Sequence, residues 1–450
     1  MSNYLRRKID SVLEKWLSSE MHSPALISGV RQCGKSRSIK EFANKHFTYV
    51  NYINFWENPD AITVFDGSLE VDEIIKKLSA QFYNFKFVPG KSVLILDEIQ
   101  DCPRARLALK SFKEDKRFEV IASGSYIGLN IDQNKGNVEP KPNGAEDVFF
   151  MKTLDFEEYL WANGYSDEQV NIVLDYFKNK KQIPENIHSK MKSLFLEYIC
   201  VGGYPESVDL FIKTNNFAEA YRKNNSLIFD IKGDPTKRKD KNGKPLYTLT
   251  EISRIQKAFD LVLSFALEES RKFVLSRING NSNQKNDAID YLINANVAFK
   301  ARNVQVPALP LAARQIESDF KLFYSDIGIL VAMSGYDTIN ALMKDSLGMN
   351  KGFLFESVVA ESLYKADIPV YHFKKNSGLE IDFVISYDGY ATLVEVKAKN
   401  GNTKSSKTVM SNPDHYGITK LIKFGDYNIG YENNILTLPY YLVFALRRES

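Results

Sequence analysis

Residues 25–42 read ALISGVRQCGKSRSIKEF, and the rest of the chain is best understood outward from them. Gly29, followed after four residues by Gly34-Lys35-Ser36, fits G-x-x-x-x-G-K-[ST], the loop that cradles phosphates between a strand and a helix. Gly29 and Gly34 let the backbone curl until its N–H groups face an anion, with Val30, Arg31, Gln32 and Cys33 forming the body of the loop. Lys35 is long enough to reach the β- and γ-phosphates, and the Ser36 hydroxyl suits Mg²⁺. A helix beginning at Gly34 turns its positive end toward the same anion. Ala25-Leu26-Ile27-Ser28 reads as a short buried strand and Ser36 to Phe42 as the start of that helix, so the expected ligand is ATP with Mg²⁺.

A second stretch supports the first. Val93-Leu94-Ile95-Leu96-Asp97-Glu98 is an apolar run ending in two acids, the pattern of a parallel strand buried on both faces. Asp97 at its end is expected to hold Mg²⁺, the Walker B role, and Glu98 to polarise a water against the γ-phosphate.

Composition bounds the class. The chain has 450 residues, 44% hydrophobic and 26% charged, enough for several domains with a core in each. A net charge of +3 argues neither for nor against a nucleic-acid partner. Three cysteines, Cys33, Cys102 and Cys200, lack metal-ligand spacing and read as free thiols of a reducing compartment. No secretory signal and no apolar run of about 18 residues is visible, so a cytoplasmic protein that does not span a membrane is expected.

Taken in order, residues 4–18 form an amphipathic helix with Ile9, Val12, Leu13, Trp16 and Leu17 on one face and a basic face of Arg6, Arg7, Lys8 and Lys15 read as solvated. Residues 47–55, 93–98, 118–122 and 148–154 are expected strands, alternating with helices at 71–82 and 105–113, which implies a parallel sheet. If the fourth strand lies between the P-loop strand and the Walker B strand, its polar end would read the γ-phosphate through Ser123 or Ser125; capping of a turn is an equal alternative for either hydroxyl. Residues 126–147 read as a long polar surface loop, and 232–246 as a charged, solvated one. Helical segments near 167–178 and 185–199 lie between them, with a tight turn at Gly202-Gly203-Tyr204-Pro205-Glu206. Residues 250–334 suggest a winged helix, with wing strands at 297–302 and 320–324. Its groove-facing helix offers Lys285 but also Asp287 and Asp290, which favours a protein contact over a phosphate backbone.

The last hundred residues read as a helix, 353–364, then three strands, with Asp388-Gly389 as a hairpin turn. That turn sets Asp382 opposite Glu395 and Lys397, which are two apart and share a face. Two carboxylates and a lysine on one face make the PD-(D/E)xK arrangement, in which Asp382 and Glu395 would ligate Mg²⁺ or Mn²⁺ and Lys397 would stabilise the attacking or departing charge. Glu356, one helix earlier, is the place for an accessory acid. An ordinary solvated hairpin face would carry the same letters.

Together, Gly29 to Ser36, Leu96-Asp97-Glu98-Ile99-Gln100, Gly124-Ser125, Leu154-Asp155-Phe156-Glu157-Glu158, Gly202 to Glu206, Phe320 to Gly328, Glu380-Ile381-Asp382-Phe383 and Glu395-Val396-Lys397 resemble the bacterial and archaeal AAA-type P-loop ATPases that carry a C-terminal domain of unknown function. The resemblance implies an α/β multidomain chain: a P-loop NTPase parallel sheet over 1–155, a helical lid over 156–248, a winged-helix-like part over 249–335 and a restriction-endonuclease-like end over 336–450. It implies no substrate. A second-region arginine motif is not evident; Arg104 or Arg106 is considered for an arginine finger acting in trans in an oligomer, a solvated helix-end charge being the plainer reading. The expected function is an ATP-hydrolysing ATPase coupled to a nuclease-like domain acting on DNA. The alternative is an ATP-dependent switch that docks a protein partner, its C-terminal domain inactive.

Overall fold

In a computed structural model, residues 4–125, 144–238, 243–268, 270–344, 346, 351–397 and 404–447 are described. They divide into two compact units: the described residues of Met1–Thr153, Arg238–Leu246 and Asn294–Asn296, and those of Leu154–Lys237, Tyr247–Ile293 and Val297–Ser450.

The first unit runs α1 (Lys8–Leu17), β1 (Ala25–Gly29), α2 (Lys35–His46), β2 (Tyr49–Asn54), α3 (Val71–Gln81), β3 (Ser92–Asp97), α4 (Pro103–Asp115), β4 (Glu119–Ser125) and β5 (Asp147–Met151). These strands form a five-stranded sheet in the order β2-β3-β4-β1-β5, all pairs parallel. The fourth strand therefore does lie between the P-loop strand and the acidic strand, as its polar end suggested. Every residue of β1 and β3 is buried, which is why both read as unbroken apolar runs rather than alternating ones. Leu26, Leu94, Leu96 and Val120 pack against Phe55, Phe65, Leu109 and Phe112 on one face of the sheet. The helix expected over 4–18 is α1, and it buries Ile9, Leu13 and Trp16. Its basic face is not wholly solvated: Arg7 is buried. Most of the loop expected over 126–147 lies outside the described residues, and β5 begins within its last position.

The second unit opens with helices α5 (Phe156–Ala162), α6 (Asp167–Lys178), α7 (Glu185–Val201), α8 (Pro205–Thr214) and α9 (Phe217–Lys237). The charged segment expected as a loop from 232 is helical as far as Lys237, with Pro235 inside the last turns. Then come α10 (Leu249–Ala266), α11 (Ser282–Asn294), β6 (Ala298–Val304), β7 (Gln315–Tyr324), α12 (Ile327–Ser334), α13 (Tyr336–Met343) and α14 (Lys351–Lys365). The chain closes with β8 (Tyr371–Lys374), β9 (Glu380–Tyr387), β10 (Tyr390–Lys397), α15 (Lys404–Met410), α16 (Pro413–Tyr416), β11 (Lys420–Gly425), β12 (Gly430–Glu432) and β13 (Ile435–Pro439).

One sheet of eight strands, ordered β12-β13-β11-β10-β9-β8-β6-β7, takes in all of these strands. The strands expected as wings are thus its outermost pair. β6 joins it by running parallel to β8, Arg302 opposite Tyr371 and Asn303 opposite His372. The physical reason is burial: Phe299, Ala301, Leu322 and Phe323 are all covered, whereas a wing hairpin leaves a face in water. The division expected at 335/336 therefore falls within strands that hydrogen-bond as one sheet.

Three of the sequence runs quoted above meet in a single buried network. Lys365 Nζ lies 2.8 Å from the Leu154 carbonyl, 3.0 Å from Tyr198 Oη, 3.3 Å from Asp326 Oδ2 and 2.5 Å from Glu361 Oε1. Asp326 accepts the Gly203 and Gly328 N–H groups, each at 3.0 Å. A Cβ at Gly203 would lie 2.1 Å from the Leu154 carbonyl oxygen and 2.8 Å from Lys365 Nζ, so only glycine fits there. Asp155 and Glu158 close a reciprocal capping box at the start of α5, Glu158 N–H donating to Asp155 Oδ1 at 2.9 Å. The quoted residues Leu154, Asp155 and Glu158, Gly203, and Asp326 with Gly328 are thereby accounted for as structure.

Candidate functional sites

At the mouth of the first sheet, β1 ends at Gly29 and α2 begins at Lys35, so residues 30–34 turn between them. Gln32 and Gly34 take positive φ angles of 60° and 98°, the conformation that brings successive N–H groups to one side. Gly29 packs so tightly on β5 that a Cβ would sit 2.1 Å from the Met151 carbonyl oxygen. Val30 and Cys33 are buried, Arg31 and Gln32 exposed. Lys35 is buried, its ammonium folded back on the loop at 2.9 Å from the Val30 carbonyl and 3.4 Å from that of Gly29. Those carbonyls hold the cation over the loop.

Asp97, at the end of β3, is 2% exposed. Its Oδ1 accepts from the Ser123 hydroxyl and, at 3.1 Å, from the Glu98 N–H; its Oδ2 accepts from Tyr52 Oη at 2.7 Å. Burial, then the bond to Asp97, pushes the Tyr52 hydroxyl up, so it stays a donor. Ser36 and Asp97 supply hard oxygens of the kind Mg²⁺ takes, and the turn supplies N–H groups for phosphate, so the donor set fits ATP with Mg²⁺. Glu98 has φ 53° and its Oε2 accepts from Gln100 Nε2 at 2.5 Å.

The two serines separate: Ser123 is committed to Asp97, while Ser125 pairs in register with Gly29. Arg238 Nη2 lies 3.5 Å from Ser125 Oγ, and Arg238 is 8% exposed. Sequence reasoning passed over this arginine, because it sits in a basic run that reads as solvated. Arg104 instead donates to the Phe65 and Gly67 carbonyls at 2.7 and 2.6 Å, and Arg106 pairs with Glu146.

The second constellation lies on β9 and β10. Tyr387 pairs with Tyr390 across Asp388-Gly389, both with positive φ (51° and 73°), a two-residue primed turn. The register runs to Phe383 opposite Val394; one step further are Asp382 and Glu395. Lys397 Nζ lies 3.4 Å from Asp382 Oδ2 and also pairs with Glu395 Oε2. The Val396 N–H donates to Asp382 Oδ2 at 2.8 Å, and the Ser406 hydroxyl to Glu395 Oε1. Burial, with Asp382 close by, pushes the Glu395 carboxyl up to about 7. Burial also opposes ionisation of Asp382, yet Lys397 and Lys321 together hold its carboxyl below the usual value. Both carboxylates thus contact Lys397, and two acidic oxygen donors side by side are the kind of set a hard divalent cation takes. Among the described residues no cluster of three or more His, Cys, Asp or Glu groups is placed to hold a metal, so such a cation would lean on water or substrate oxygens for its remaining positions.

Glu356, the accessory acid, is on α14 and is not open to a ligand: Lys321 Nζ lies 3.0 Å from its Oε1, and Arg271 pairs with its Oε2. Lys321 also lies 3.6 Å from Glu380, which pairs with Lys374 at 2.6 Å. Lys321, Arg271 and Ser406 were not singled out from the sequence; Lys321 falls in an apolar run, and burial is set by pairings far along the chain.

Residues 21–160 match the family model of an AAA domain. Together with the β2-β3-β4-β1-β5 order and the loop after β1, that match defines this part of the chain as an AAA-type P-loop ATPase domain. Two models of domains of unknown function match further on, DUF8612 over 192–340 and DUF4143 over 351–442. None of the curated proteins matches the chain. Among solved structures it is similar to a Walker-type ATPase of Pyrococcus abyssi, 15% identical, covering 74% of this chain and 96% of that one with a TM-score of 0.41. Others are the Aeropyrum pernix ORC1 protein in complex with DNA (13% identical, 75% and 92% covered, TM-score 0.28) and AMPPCP-bound DnaA from Aquifex aeolicus (11%, 65% and 89%, TM-score 0.29). Among the described residues no helix is long and apolar enough to cross a membrane.

Proposed function

We propose that this chain binds and hydrolyses ATP at the P-loop and that its C-terminal sheet carries a metal-dependent nuclease-like site directed at DNA. The observation that carries the first half is the loop from Gly29 to Lys35, with Lys35 buried over its carbonyls and Asp97 at the end of the neighbouring acidic strand. Lys35 would leave the Val30 carbonyl for the β- and γ-phosphates, and Ser36 and Asp97 would hold Mg²⁺, which neutralises phosphate charge when bound. Glu98 would orient the attacking water after releasing Gln100, while Ser125 and Arg238 would face the terminal phosphate. In the second half, Asp382 and Glu395 would hold Mg²⁺ or Mn²⁺, which would supply Lewis-acid polarisation of a phosphodiester, and Lys397 would stabilise developing negative charge. The domain limits read from the sequence are kept for the ATPase part, with β6 and β7 assigned to the C-terminal sheet.

Two assays test this. Lys35→Ala should abolish nucleotide binding, whereas Glu98→Gln should bind ATP and hydrolyse it about 10²–10⁴ times more slowly. Wild-type turnover by Glu98→Gln would remove Glu98 from this role. Cleavage of linear, nicked, branched and single-stranded DNA with Mg²⁺ or Mn²⁺, with and without ATP, should be lost in Asp382→Ala and in Glu395→Ala. A second reading draws on Glu356, whose carboxylate is fully engaged by Lys321 and Arg271. In that reading the C-terminal sheet does not cleave, and the chain is an ATP-dependent switch for a protein partner; no cleavage of any substrate by the wild type would favour it.

A further inference from the structure

Arg7 belongs to none of the motifs above, yet it is 4% exposed and touches the P-loop directly. Its Nη1 donates to the Cys33 carbonyl at 2.7 Å and its Nη2 to the Lys152 carbonyl at 2.6 Å. One guanidinium therefore ties the phosphate loop to the residue just past β5. The same edge makes two more contacts: Cys33 Sγ lies 3.5 Å from the Met151 carbonyl oxygen, and Gly29 packs against that carbonyl too closely for a side chain. Arg7 is itself fixed. Its N–H donates to Asp10 Oδ2 at 2.9 Å, and Asp10 Oδ1 accepts from Tyr4 Oη, which is also 2.9 Å from Ser38 Oγ on α2.

The chemistry follows from the peptide unit that Arg7 holds. The bond between Cys33 and Gly34 is planar and trans, so its C=O and N–H point in opposite directions. A Cys33 carbonyl turned to Arg7 turns the Gly34 N–H the other way. A cation on that carbonyl also polarises the amide and strengthens the N–H as a donor to an anion. We propose that Arg7 is a positioning residue for nucleotide binding: it sets and polarises the Cys33–Gly34 peptide so that the Gly34 N–H is presented to the β-phosphate of a nucleoside di- or triphosphate. This rests on the nucleotide reading above.

The test uses the full chain as wild type, Arg7→Ala, Arg7→Lys and Lys35→Ala, with ADP binding by calorimetry and steady-state ATP turnover. Loss of one oriented donor to a charged phosphate should weaken ADP affinity roughly tenfold in Arg7→Ala. KM should rise more than kcat falls, and Arg7→Lys, which can reach one carbonyl but not grip both, should fall between. A merely structural arginine would lower the binding stoichiometry and leave the Kd of the remaining protein unchanged. An ADP Kd in Arg7→Ala within twofold of wild type, while Lys35→Ala loses binding, overturns the role of Arg7 alone. Failure of the wild type to bind ADP overturns the nucleotide reading and this inference with it. If Arg7→Ala does not fold, Arg7→Lys decides through the Gly34 amide resonance of glycine-labelled protein with ADP. An upfield shift from the wild-type position is expected, and an unchanged resonance overturns the proposal.

Discussion

Replacing Glu361 by glutamine should flatten the pH dependence of stability of the unit that holds it. Glu361 is fully buried beside Lys365, Asp326 and Tyr198, so one lysine serves two carboxyl groups. Burial pushes the Glu361 carboxyl up from 4.5 to about 7, against the attraction of Lys365. A carboxyl raised on folding holds its proton more tightly in the folded chain. Its contribution is therefore fully present below the unfolded value of 4.5 and is lost as pH rises through about 7. Between about pH 5 and about pH 8 that loss comes to about 2.5 kcal/mol. Glutamine keeps an oxygen for the Ile327 N–H and the Tyr198 hydroxyl but cannot ionise. Its amide nitrogen takes the place of Oε2, which has no hydrogen-bond partner among the described residues, so a constant cost of about 1–3 kcal/mol is added at every pH. The assay is urea unfolding followed through Trp161, with Trp16 and Trp56 replaced by phenylalanine in both proteins. Glu361→Gln should gain on the reference as pH rises, by about 2.5 kcal/mol over that range. A difference between the two that stays constant within about 0.5 kcal/mol would refute the argument.

Three further outcomes follow from the same packing. Gly203→Ala should destabilise the second unit by about 1–3 kcal/mol, because its methyl would meet the Leu154 carbonyl at 2.1 Å; a change under about 0.5 kcal/mol in urea unfolding would contradict this. Lys321→Met should cost about 3–5 kcal/mol, since Glu356 then keeps only the partly buried Arg271, and adding Glu356→Gln should recover part of the loss in a double-mutant cycle. A fragment of residues 336–450 should fail to unfold cooperatively, because β8 loses its partner β6, whereas one starting at 154 should retain a sharp transition.

The phosphate loop and the acidic strand were legible because their chemistry is local. Gly29, Gly34, Lys35 and Ser36 act within one turn, and burial on both faces leaves an unbroken apolar run at 93–96. The hairpin that sets Asp382 against Glu395 was legible for the same reason: Asp388-Gly389 fixes the register by itself. What the sequence hid was non-local. Arg7 and Arg238 look like any exposed arginine, and only the packing around them makes them buried donors to Cys33 and Ser125. The strands at 298–304 and 315–324 are evident as strands, but nothing in their letters says that β6 pairs with β8 rather than closing a wing. Lys321 sits between Phe320 and Leu322 as though on a strand's wet face, and its partners Glu356 and Glu380 come much later in the chain.

The placing of β6 and β7 bears on the order in which the protein is made. Their hairpin can close within microseconds of emerging from the ribosome, yet Tyr324 precedes the last residue of β8 by roughly 50 positions, about 2.5–10 s of synthesis. Until then Phe299, Leu322 and Phe323 lack β8, and for most of that time α14 as well, to cover them. The newborn chain therefore carries a ready-made, open sheet edge for seconds, and slow translation through 325–370 should raise its demand for chaperones more than slow translation anywhere in the first sheet.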